Sequence, residues 1–357
     1  IFIRYPRLWL RRVFWWLGQF RVFRNFFRRI YYYIPSKAYA EAFDKYKPDA
    51  VFCPTMVYHD QLILKEAKKR KIKTLGMVLS WDNLYTKTFL RVHPDHLFTQ
   101  TAVIRDQAVV AGDYPKEKIT VVGIPQYDRY FRKPPVSSRE EFIKSLGGDP
   151  ARKLLLYAFS GKLALDIEFN VLACLAKAIA DGKIKEKVEV LVRPYPRYDF
   201  PDWRLREIKE KYGFLVAGAT AHIGGSANDW EFDDRAMALL DNSLTHSDMV
   251  LATCTTFFIE GAIFNKPLIG IAFDGERDLP YWLSAKRFFE WEHLALLGSN
   301  NGIKMAGSQE ELAEAVNANL RNPKLLEEGR RKIVRQQCEY NDGESGRRVA
   351  EATLSFL

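Results

Sequence analysis

The chain has 357 residues, of which 47% are hydrophobic and 14% aromatic, and it carries a net charge of +10 at pH 7. This length indicates about two domains, and the apolar content excludes an intrinsically disordered protein. The four cysteines are far apart and form no CxxC pair, which argues against a disulfide framework or zinc site and suits a reducing compartment.

The positive charge is concentrated at the amino-terminus, where residues 1–40 contain no acidic side chain. On a helical wheel of residues 4–30, the aromatic side chains share one sector and the arginines occupy a separate arc. The aromatic sector contains Trp9, Trp16, Phe20, Phe23 and Phe27, and the basic arc contains Arg4, Arg7, Arg11, Arg21, Arg24, Arg28 and Arg29. This pattern is typical of a helix in a membrane interface, where each cation near anionic lipid contributes roughly 1 kcal/mol.

An ordinary amphipathic helix that packs its aromatic side chains on the next domain would give the same pattern. Nucleic-acid binding is disfavoured, since no fold signature of that class accompanies the charge. We therefore expect residues 1–36 to form a basic amphipathic segment, with residues 4–30 contacting an anionic membrane surface and no nucleic acid. No apolar run reaches the ~20 residues needed to span a bilayer.

Residues 37–133 alternate between short apolar runs and helical patterns. Strands are predicted at 49–54, 73–79, 96–101 and 118–123, and helices at 60–70 and 102–111. This alternation predicts parallel βαβ units and a first Rossmann-like domain. The segment 132–142 is rich in proline and serine and predicts a linker, with Ser138 capping a helix together with Glu141.

Residues 134–340 repeat the alternation and predict a second Rossmann-like domain, which would bind a nucleotide donor. Its predicted strands are 153–159, 188–194, 214–217, 249–252 and 267–273, and its predicted helices are 163–181, 233–245 and a series from 308 onward. Residues 341–357 are assigned to a carboxyl-terminal helix. The fold class is α/β, with two doubly wound domains facing a cleft and ligands at the carboxyl ends of the strands.

Two strand ends of the second domain carry groups suited to anions. Ser160, Gly161 and Lys162 lie at a strand-to-helix turn, where glycine lets the backbone approach a ligand and lysine adds charge. Arg193 ends the next strand, where a guanidinium could bind phosphate. A plain glycine turn and a salt-bridged arginine are the structural alternatives.

A third strand end, in the sequence TCTTFFIEG at 253–261, is rich in hydroxyl groups. Thr253, Thr255 and Thr256 lie where a strand ends and a helix begins, so their hydroxyls and the free amides could receive a phosphate. Glu260 follows about one turn later and could accept hydrogen bonds from a ribose diol. The alternative is a threonine-capped helix with a solvated glutamate.

Residues 247–274, SDMVLATCTTFFIEGAIFNKPLIGIAFD, resemble the donor-site segment of GT-B-fold glycosyltransferases. They are also similar to the CDP-glycerol glycerophosphotransferases and the non-hydrolysing UDP-sugar 2-epimerases. GIPQYDRYF at 123–131 and LSWDNL at 79–84 extend the resemblance, and VRPYP resembles an Arg-Pro-His-Pro element with Tyr195 in place of histidine. The resemblance covers about residues 45–355 and implies donor-binding roles for Asp274 and, in YNDGESGRRVAEA at 340–352, for Ser345 and Arg347.

An inverting transfer needs a general base on the acceptor hydroxyl and positive charge on the departing diphosphate. In GT-B enzymes the base usually comes from the first domain, where His59, Asp60 and Asp82 follow predicted strands. Histidine as a residue type suits this role, and Asp82 lies beside Trp81, which could stack on a sugar. Helix capping is the alternative for both aspartates. No metal site or resident cofactor is expected, because the nucleotide-activated donor is itself the substrate.

These observations predict a GT-B-like transferase that moves a sugar or polyol group from a nucleotide-sugar or CDP-polyol donor to a cell-surface glycan or lipid-linked acceptor. It would be cytoplasmic and peripheral at the inner face of the plasma membrane. A UDP-sugar 2-epimerase and a non-catalytic membrane-bound adaptor on the same fold are the alternatives. The sequence begins with Ile1, and GT-B first domains open with a strand and a glycine-rich loop, so we expect a fragment or a trimmed first domain.

Overall fold

A computed structural model describes residues 6–57, 59–87, 89–134, 136–195, 202–216 and 232–357. The chain divides into two compact units. The first contains residues up to Gln126 together with 338–340 and 344–357, and the second contains residues 127–337 and 341–343. The predicted domain limits are 133 and 340, whereas the chain passes from the first unit to the second after residue 126 and its last helix belongs to the first unit.

The strands are β1 Ala50–Cys53, β2 Lys73–Met77, β3 His96–Thr99, β4 Ile119–Val121, β5 Lys153–Ala158, β6 Val188–Arg193, β7 Leu215–Val216, β8 Met249–Ala252, β9 Leu268–Ile271 and β10 Ile303–Ala306. The helices are α1 Pro6–Gly18, α2 Arg21–Tyr33, α3 Ala40–Tyr46, α4 Asp60–Lys69, α5 Ala102–Val110, α6 Asp128–Phe131, α7 Arg139–Ser145, α8 Leu165–Ala180, α9 Asp202–Tyr212, α10 Asp234–His246, α11 Phe257–Ile263, α12 Glu292–Gly298, α13 Gln309–Arg321, α14 Glu327–Cys338 and α15 Ser345–Phe356.

The first unit is built on a parallel sheet with the strand order β1-β2-β3-β4. Its register places Ala50 opposite Lys73 and Leu97 opposite Ile119. One face of the sheet is covered by α15, where Val349, Ala352 and Phe356 pack against a core cluster that includes Phe98. The last helix therefore completes the hydrophobic core of the first unit.

The second unit is built on a parallel sheet with the order β10-β9-β8-β5-β6-β7. If its strands are numbered one to six along the chain, this order is 6-5-4-1-2-3, which is the doubly wound Rossmann arrangement. β5 lies at the centre, where its residues 155–158 pair with both β6 and β8. The predicted α/β class with two Rossmann-like domains is confirmed.

Several elements differ from those predicted. β10 was not predicted, because its four residues IKMA have two exposed side chains in the middle and leave little apolar signal. α3, α9 and α12 were also not predicted; α9 has a polar sequence with few apolar positions. The capping box at Ser138 is confirmed, since Ser138 Oγ accepts from the Glu141 amide at 3.2 Å and the Glu141 carboxylate accepts from the Ser138 amide at 3.0 Å. Three residues that the sequence analysis uses, Arg4, Pro196 and Ala217, lie outside the described residues.

The basic amino-terminal segment forms two helices, α1 and α2, which we call the N-terminal hairpin (residues 6–33). A turn at residues 19–20 separates them, so the helical wheel of one continuous helix does not apply. The rings of Phe14 and Phe27 meet at a centroid distance of 5.6 Å, and Phe27 is half-buried. The sequence places Arg24 and Arg28 on the same arc as the other arginines, but both bind the body of the first unit.

Asp113 accepts hydrogen bonds from both of these arginines. Arg24 donates to its two carboxylate oxygens at 2.8 and 2.6 Å, and Arg28 donates to Oδ2 at 2.7 Å. Arg28 also donates to the backbone carbonyls of Leu90 at 2.9 Å and Gly112 at 2.7 Å. These contacts fix α2 on the first unit.

The outward side of the hairpin exposes large apolar side chains. More than two fifths of the surface of each of the following is exposed: Trp9, Leu10, Phe14, Trp15, Trp16, Phe20, Val22, Phe26, Ile30 and Tyr33. Within the described part of the chain, no helix is both long enough and apolar enough to cross a membrane.

Candidate functional site

The carboxyl ends of β5 and β8 meet at the point where the strand order of the second unit reverses. From β5 the chain passes through α8 to β6, and from β8 it passes through α11 to β9. In the strand order, β6 and β9 lie on opposite sides of the central pair formed by β5 and β8. Doubly wound folds bind their ligands in the crevice that opens between two such connections. We call the segments 159–164 and 253–256 the strand-end loops; they are joined by a hydrogen bond of 2.9 Å from the Cys254 amide to Ser160 Oγ.

Gly161 gives the first strand-end loop its shape. Its φ of +114° lies in a region that L-residues rarely adopt, and a β-carbon there would lie 3.6 Å from the ring of Tyr195. Tyr195 follows β6, so this contact brings the ends of β5 and β6 together. Lys162 is the next residue and is exposed. Ser160, Gly161 and Lys162 thus form a strand-to-helix turn, as the sequence predicted.

Glu168 lies behind this loop and has no exposed surface. The amide of Ser160 donates to both of its carboxylate oxygens, at 2.9 and 3.1 Å. Burial raises the pKa of Glu168 to about 7, and the hydrogen bonds from Ser160 oppose that rise. A carboxylate that is fully buried and held by an amide is expensive to keep charged, which marks it as a candidate functional group.

Glu260 and Arg193 form a second buried polar group, on α11 and at the end of β6. They are 8% and 6% exposed. Glu260 Oε2 accepts from the hydroxyl of Tyr130 at 3.1 Å, and Thr256 Oγ1 lies 3.5 Å from Oε1. The Arg193 guanidinium lies 5.2 Å from the ring centroid of Phe257.

The charges of this group are only partly compensated. Burial raises the pKa of Glu260, while the positive charge of Arg193 and the hydrogen bond from Tyr130 lower it by less. Burial also lowers the pKa of Arg193, and Glu260 acts in the opposite direction. The alternative of a solvated Glu260 is therefore wrong, because the carboxylate is buried and already accepts from two hydroxyl groups. Its oxygens can accept further hydrogen bonds at the base of the second strand-end loop.

The three threonines are at the predicted positions but differ in exposure. Thr253 is fully buried, whereas Thr255 and Thr256 are half-buried at the start of α11. Thr255 Oγ1 accepts from the Phe257 amide at 3.3 Å. Thr256 is the residue before the helix and makes no side-chain cap, so its hydroxyl faces Glu260 instead.

Asp274 follows β9 and is buried, with Oδ1 accepting from the Ala285 amide at 2.7 Å. It shapes the loop over a cavity of about 530 Å³ at the ends of β9 and β10. The cavity is also lined by Arg277, Lys286 and Glu310. The hydrogen bond from the Ala285 amide gives Asp274 a structural role in addition to its predicted role in donor binding.

Ser345 and Arg347, which the resemblance assigned to the donor site, belong to the first unit. The buried side chain of Ser345 lies against Gly123. This contact leaves no room for a β-carbon at position 123. Arg347 is exposed and pairs along its own helix with Glu344 at 3.0 Å and Glu351 at 3.8 Å. A solvated guanidinium paired in this way is typical of a helix surface.

The candidate bases of the first unit differ in their surroundings. Asp60 Oδ2 accepts from the Thr55 amide at 2.8 Å, the Thr55 hydroxyl at 2.6 Å and the Met56 amide at 3.0 Å, so it holds the β1–α4 loop. His59 is exposed, with its ring 6.1 Å from that of Tyr39. Asp82 is half-buried after β2, where a single-turn π-helix follows at Asn83–Lys87. π-Helical turns are frequent at functional sites.

Two residues of the site were missed in the sequence. Glu168 shares a helical face with Leu172 and Leu175, which are both fully buried, and an acidic residue on such an apolar face is the signal that could have found it. Tyr130 lies in the GIPQYDRYF element, but its partner Glu260 is 130 positions away. No local pattern predicts that contact.

A comparison with protein-family models found no match, and a comparison with curated proteins found none either. Solved structures do match. MnaA of S. aureus in a co-structure with UDP has a TM-score of 0.58 at 13% identity, over 90% of this chain and 80% of that one. UDP-GlcNAc 2-epimerase from Neisseria meningitidis bound to UDP-GlcNAc has a TM-score of 0.55 at 12% identity, over 89% and 80%.

A glycosyltransferase from Rickettsia africae has a TM-score of 0.51 at 12% identity, over 89% of this chain and 80% of that one. At these identities the likeness shows the fold, which is the GT-B arrangement of two Rossmann-like domains.

Proposed function

We propose that this protein is a GT-B-type transferase that binds a nucleotide-activated donor at the strand-end loops of its second unit. The observation that carries the proposal is the buried group of Glu260, Arg193 and Tyr130 beside the point where the strand order reverses. A ribose diol would donate to Glu260, while Arg193, Ser160 and Lys162 would bind the diphosphate.

The transfer itself would require a base from the first unit. Asp82 and His59 are the candidates, because Asp60 already accepts three hydrogen bonds from its own loop. The base would take the proton of the acceptor hydroxyl as that oxygen attacks the donor, and Arg193 would stabilise the charge on the departing nucleotide diphosphate. The donor would carry a sugar or a polyol, and the acceptor would be a cell-surface glycan or a lipid-linked chain.

A nucleotide-sugar 2-epimerase is the second candidate, favoured by the solved structures with UDP and UDP-GlcNAc that share this fold. The two functions differ in whether an acceptor is needed. Incubation with UDP-GlcNAc alone would give the 2-epimer if the protein is an epimerase, and no sugar product if it is a transferase. Chromatography of that mixture therefore separates the two candidates.

Donor binding is tested by titration of UDP and CDP into the full chain. We expect Glu260→Ala to weaken nucleotide binding at least tenfold, which is about 1.4 kcal/mol. The exposed Glu292→Ala is the matched control and should leave binding unchanged. The proposal fails if no nucleotide raises the thermal midpoint of the wild type, or if Glu260→Ala binds as tightly as the wild type.

The N-terminal hairpin would hold the enzyme at the inner, anionic face of the plasma membrane, next to a lipid-linked acceptor. Its exposed tryptophans and the exposed Arg11 and Arg12 provide the apolar and cationic contacts that an interface requires. Flotation with anionic vesicles should fall when Trp15 and Trp16 are replaced by alanine. Trp203→Ala, which removes a similarly exposed indole from α9, should float like the wild type. Equal flotation of all three would contradict membrane binding by the hairpin.

A further inference from the structure

Glu168 connects the two strand-end loops although its side chain has no exposed surface. It lies in the first turn of α8 and accepts the Ser160 amide through both oxygens, at 2.9 and 3.1 Å. Ser160 in turn accepts the Cys254 amide through its hydroxyl, at 2.9 Å. One carboxylate therefore holds the loop after β5 directly, and it acts on the loop after β8 through Ser160 and through Thr253, whose hydroxyl lowers the pKa of Glu168 by hydrogen bonding.

The groups that face Glu168 come from β5, from the loop after β5, where Ser160 lies, and from the loop after β8. On β5, the hydroxyl of Tyr157 donates to the backbone carbonyl of Glu168 at 2.9 Å. Burial raises the pKa of Tyr157 well above its ordinary value, and the charge of Glu168 adds to this. The loop after β8 contains Thr253 and Cys254. Burial raises the pKa of the Cys254 thiol to about 12; the negative charge of Glu168 also raises this pKa, and the positive charge of Arg287 lowers it.

The positive charge of Arg287 reaches this group at Cys254, where it lowers the pKa of the thiol. Because burial raises the pKa of Glu168 to about 7, its carboxyl changes charge near neutral pH. In the charged form both oxygens accept the Ser160 amide, whereas in the neutral form one oxygen carries the proton and donates, so the amide keeps one good acceptor instead of two.

We propose that Glu168 is a positioning residue that sets the shape of both strand-end loops, and that its carboxyl takes up a proton when a diphosphate binds there. The second half of this inference rests on the proposed function. A bound diphosphate brings negative charge next to the loop that Glu168 supports, and like charges in a buried site favour the neutral acid. The proton comes from solvent, so ligand affinity and pH are linked.

The first half is tested without ligand, by hydrogen exchange of the Ser160 and Cys254 amides between pH 6 and pH 8.5. After correction for intrinsic exchange rates, we expect wild-type protection of these amides to fall as the pH is lowered through 7. In Glu168→Gln, which keeps one acceptor and cannot ionise, protection should not depend on pH. Wild-type protection that is independent of pH would overturn the positioning role, and this measurement stands even if the variant does not fold.

The second half is tested by calorimetric titration of UDP near pH 7.5 in two buffers of different ionisation enthalpy. The wild type should take up a fraction of a proton per UDP bound, and its affinity should fall as the pH rises from 6.5 to 8.5, by about tenfold for each unit by which UDP raises the pKa of Glu168. Glu168→Gln should lose this uptake, while Asp166→Asn, an exposed residue of the same helix paired with Arg204, should retain it.

The outcomes distinguish this inference from the proposed function. If UDP binds to the wild type without proton uptake, the linkage is wrong and the donor site stands. If UDP does not bind at all, the proposed function and the linkage both fail, and the amide exchange alone decides the positioning role. Proton uptake by the wild type and Glu168→Gln alike would assign the proton to the nucleotide.

Discussion

The molecule contains two buried arginine–carboxylate groups that are built differently. In the first unit, Arg24 and Arg28 donate directly to Asp113 at 2.6–2.8 Å, and Arg28 also satisfies two backbone carbonyls. In the second unit, Arg193 and Glu260 act on one another electrostatically, and the hydrogen bonds to Glu260 come from the hydroxyls of Tyr130 and Thr256.

The pKa values respond in opposite directions. Burial raises the pKa of Asp113, but the hydrogen bonds from Arg24 and Arg28 outweigh it, so the net pKa is lowered. For Glu260 burial dominates and the net pKa is raised. A carboxylate whose burial is fully offset by hydrogen bonds from arginines holds two segments of the chain together. A carboxylate whose burial is only partly offset can still accept hydrogen bonds from a ligand.

Removing the carboxylate from the satisfied group should have the largest effect. Asp113→Ala leaves Arg28 buried without its counter-charge, and the loss of one partner of a buried pair costs about 3–5 kcal/mol. We expect α2 to undock, with faster proteolysis near residues 19–20 and a lower urea midpoint. Asp106→Ala, which removes an exposed partner of Arg105, is the control and should change neither. Resistance of Asp113→Ala to protease would show that the arginines do not hold the hairpin.

The pH dependence of stability should separate the two groups. Asp113 has a lowered pKa, so its contribution is present above its ordinary pKa and is lost as the pH falls through the folded value. Glu260 has a raised pKa, so the stability it contributes is complete below its ordinary pKa and is lost as the pH rises toward the folded value.

Glu260→Gln should therefore resemble the wild type in unfolding free energy at acid pH, where the glutamate is protonated. Relative to the wild type it should gain stability as the pH is raised above the ordinary glutamate pKa. Urea denaturation at several pH values measures this. A constant difference between the two proteins would mean that Glu260 titrates normally and that the contrast with Asp113 is wrong.

A backbone change in the first strand-end loop should have a smaller effect on stability. Gly161→Ala places a side chain at φ +114° and against Tyr195, which should cost about 1–3 kcal/mol and weaken UDP binding. Gly182→Ala is the matched variant, since Gly182 has φ +66° with open space around it. It should lose about 1 kcal/mol and bind UDP normally. Equal nucleotide affinities for the two variants would exclude this loop from the site.

The smallest effect is expected at Arg347. Its pairs with Glu344 and Glu351 are exposed, and such pairs contribute about 0–1 kcal/mol. Arg347→Ala should therefore leave both the thermal midpoint and UDP binding close to those of the wild type. A large loss of UDP affinity in this variant would restore the donor-binding role that the resemblance implied.

The sequence predicted the parts of the fold that depend on local apolar pattern. Nearly all central strands were found, because runs such as LLLYA in β5 are buried on both faces. The edge strand β10 was missed for the opposite reason, with Lys304 and Met305 exposed. Around the candidate site, Gly161 and Thr256 lie at the strand-to-helix positions that the sequence predicted, because turn and helix-start signals are local, whereas the pairing of Tyr130 with Glu260 depends on tertiary packing.

The arginines show a further limit of sequence patterns. Arg28 and Arg29 are neighbours with the same chemistry, and only the folded chain makes one buried and the other exposed. The periodicity predicted a basic arc that includes Arg24 and Arg28. Both instead donate to Asp113, which is more than eighty positions away in the sequence.

The return of α15 to the first unit has a consequence for the order in which the chain matures during synthesis. Val349, Ala352 and Phe356 cover Phe98 and its neighbours, so the sheet of the first unit keeps an open apolar face until residues 345–356 leave the ribosome. The second unit contains all of its own strands by residue 306 and can condense earlier. The nascent chain therefore completes the first unit after the second, and until then the open apolar face of the first sheet is a surface through which a partly folded chain can aggregate.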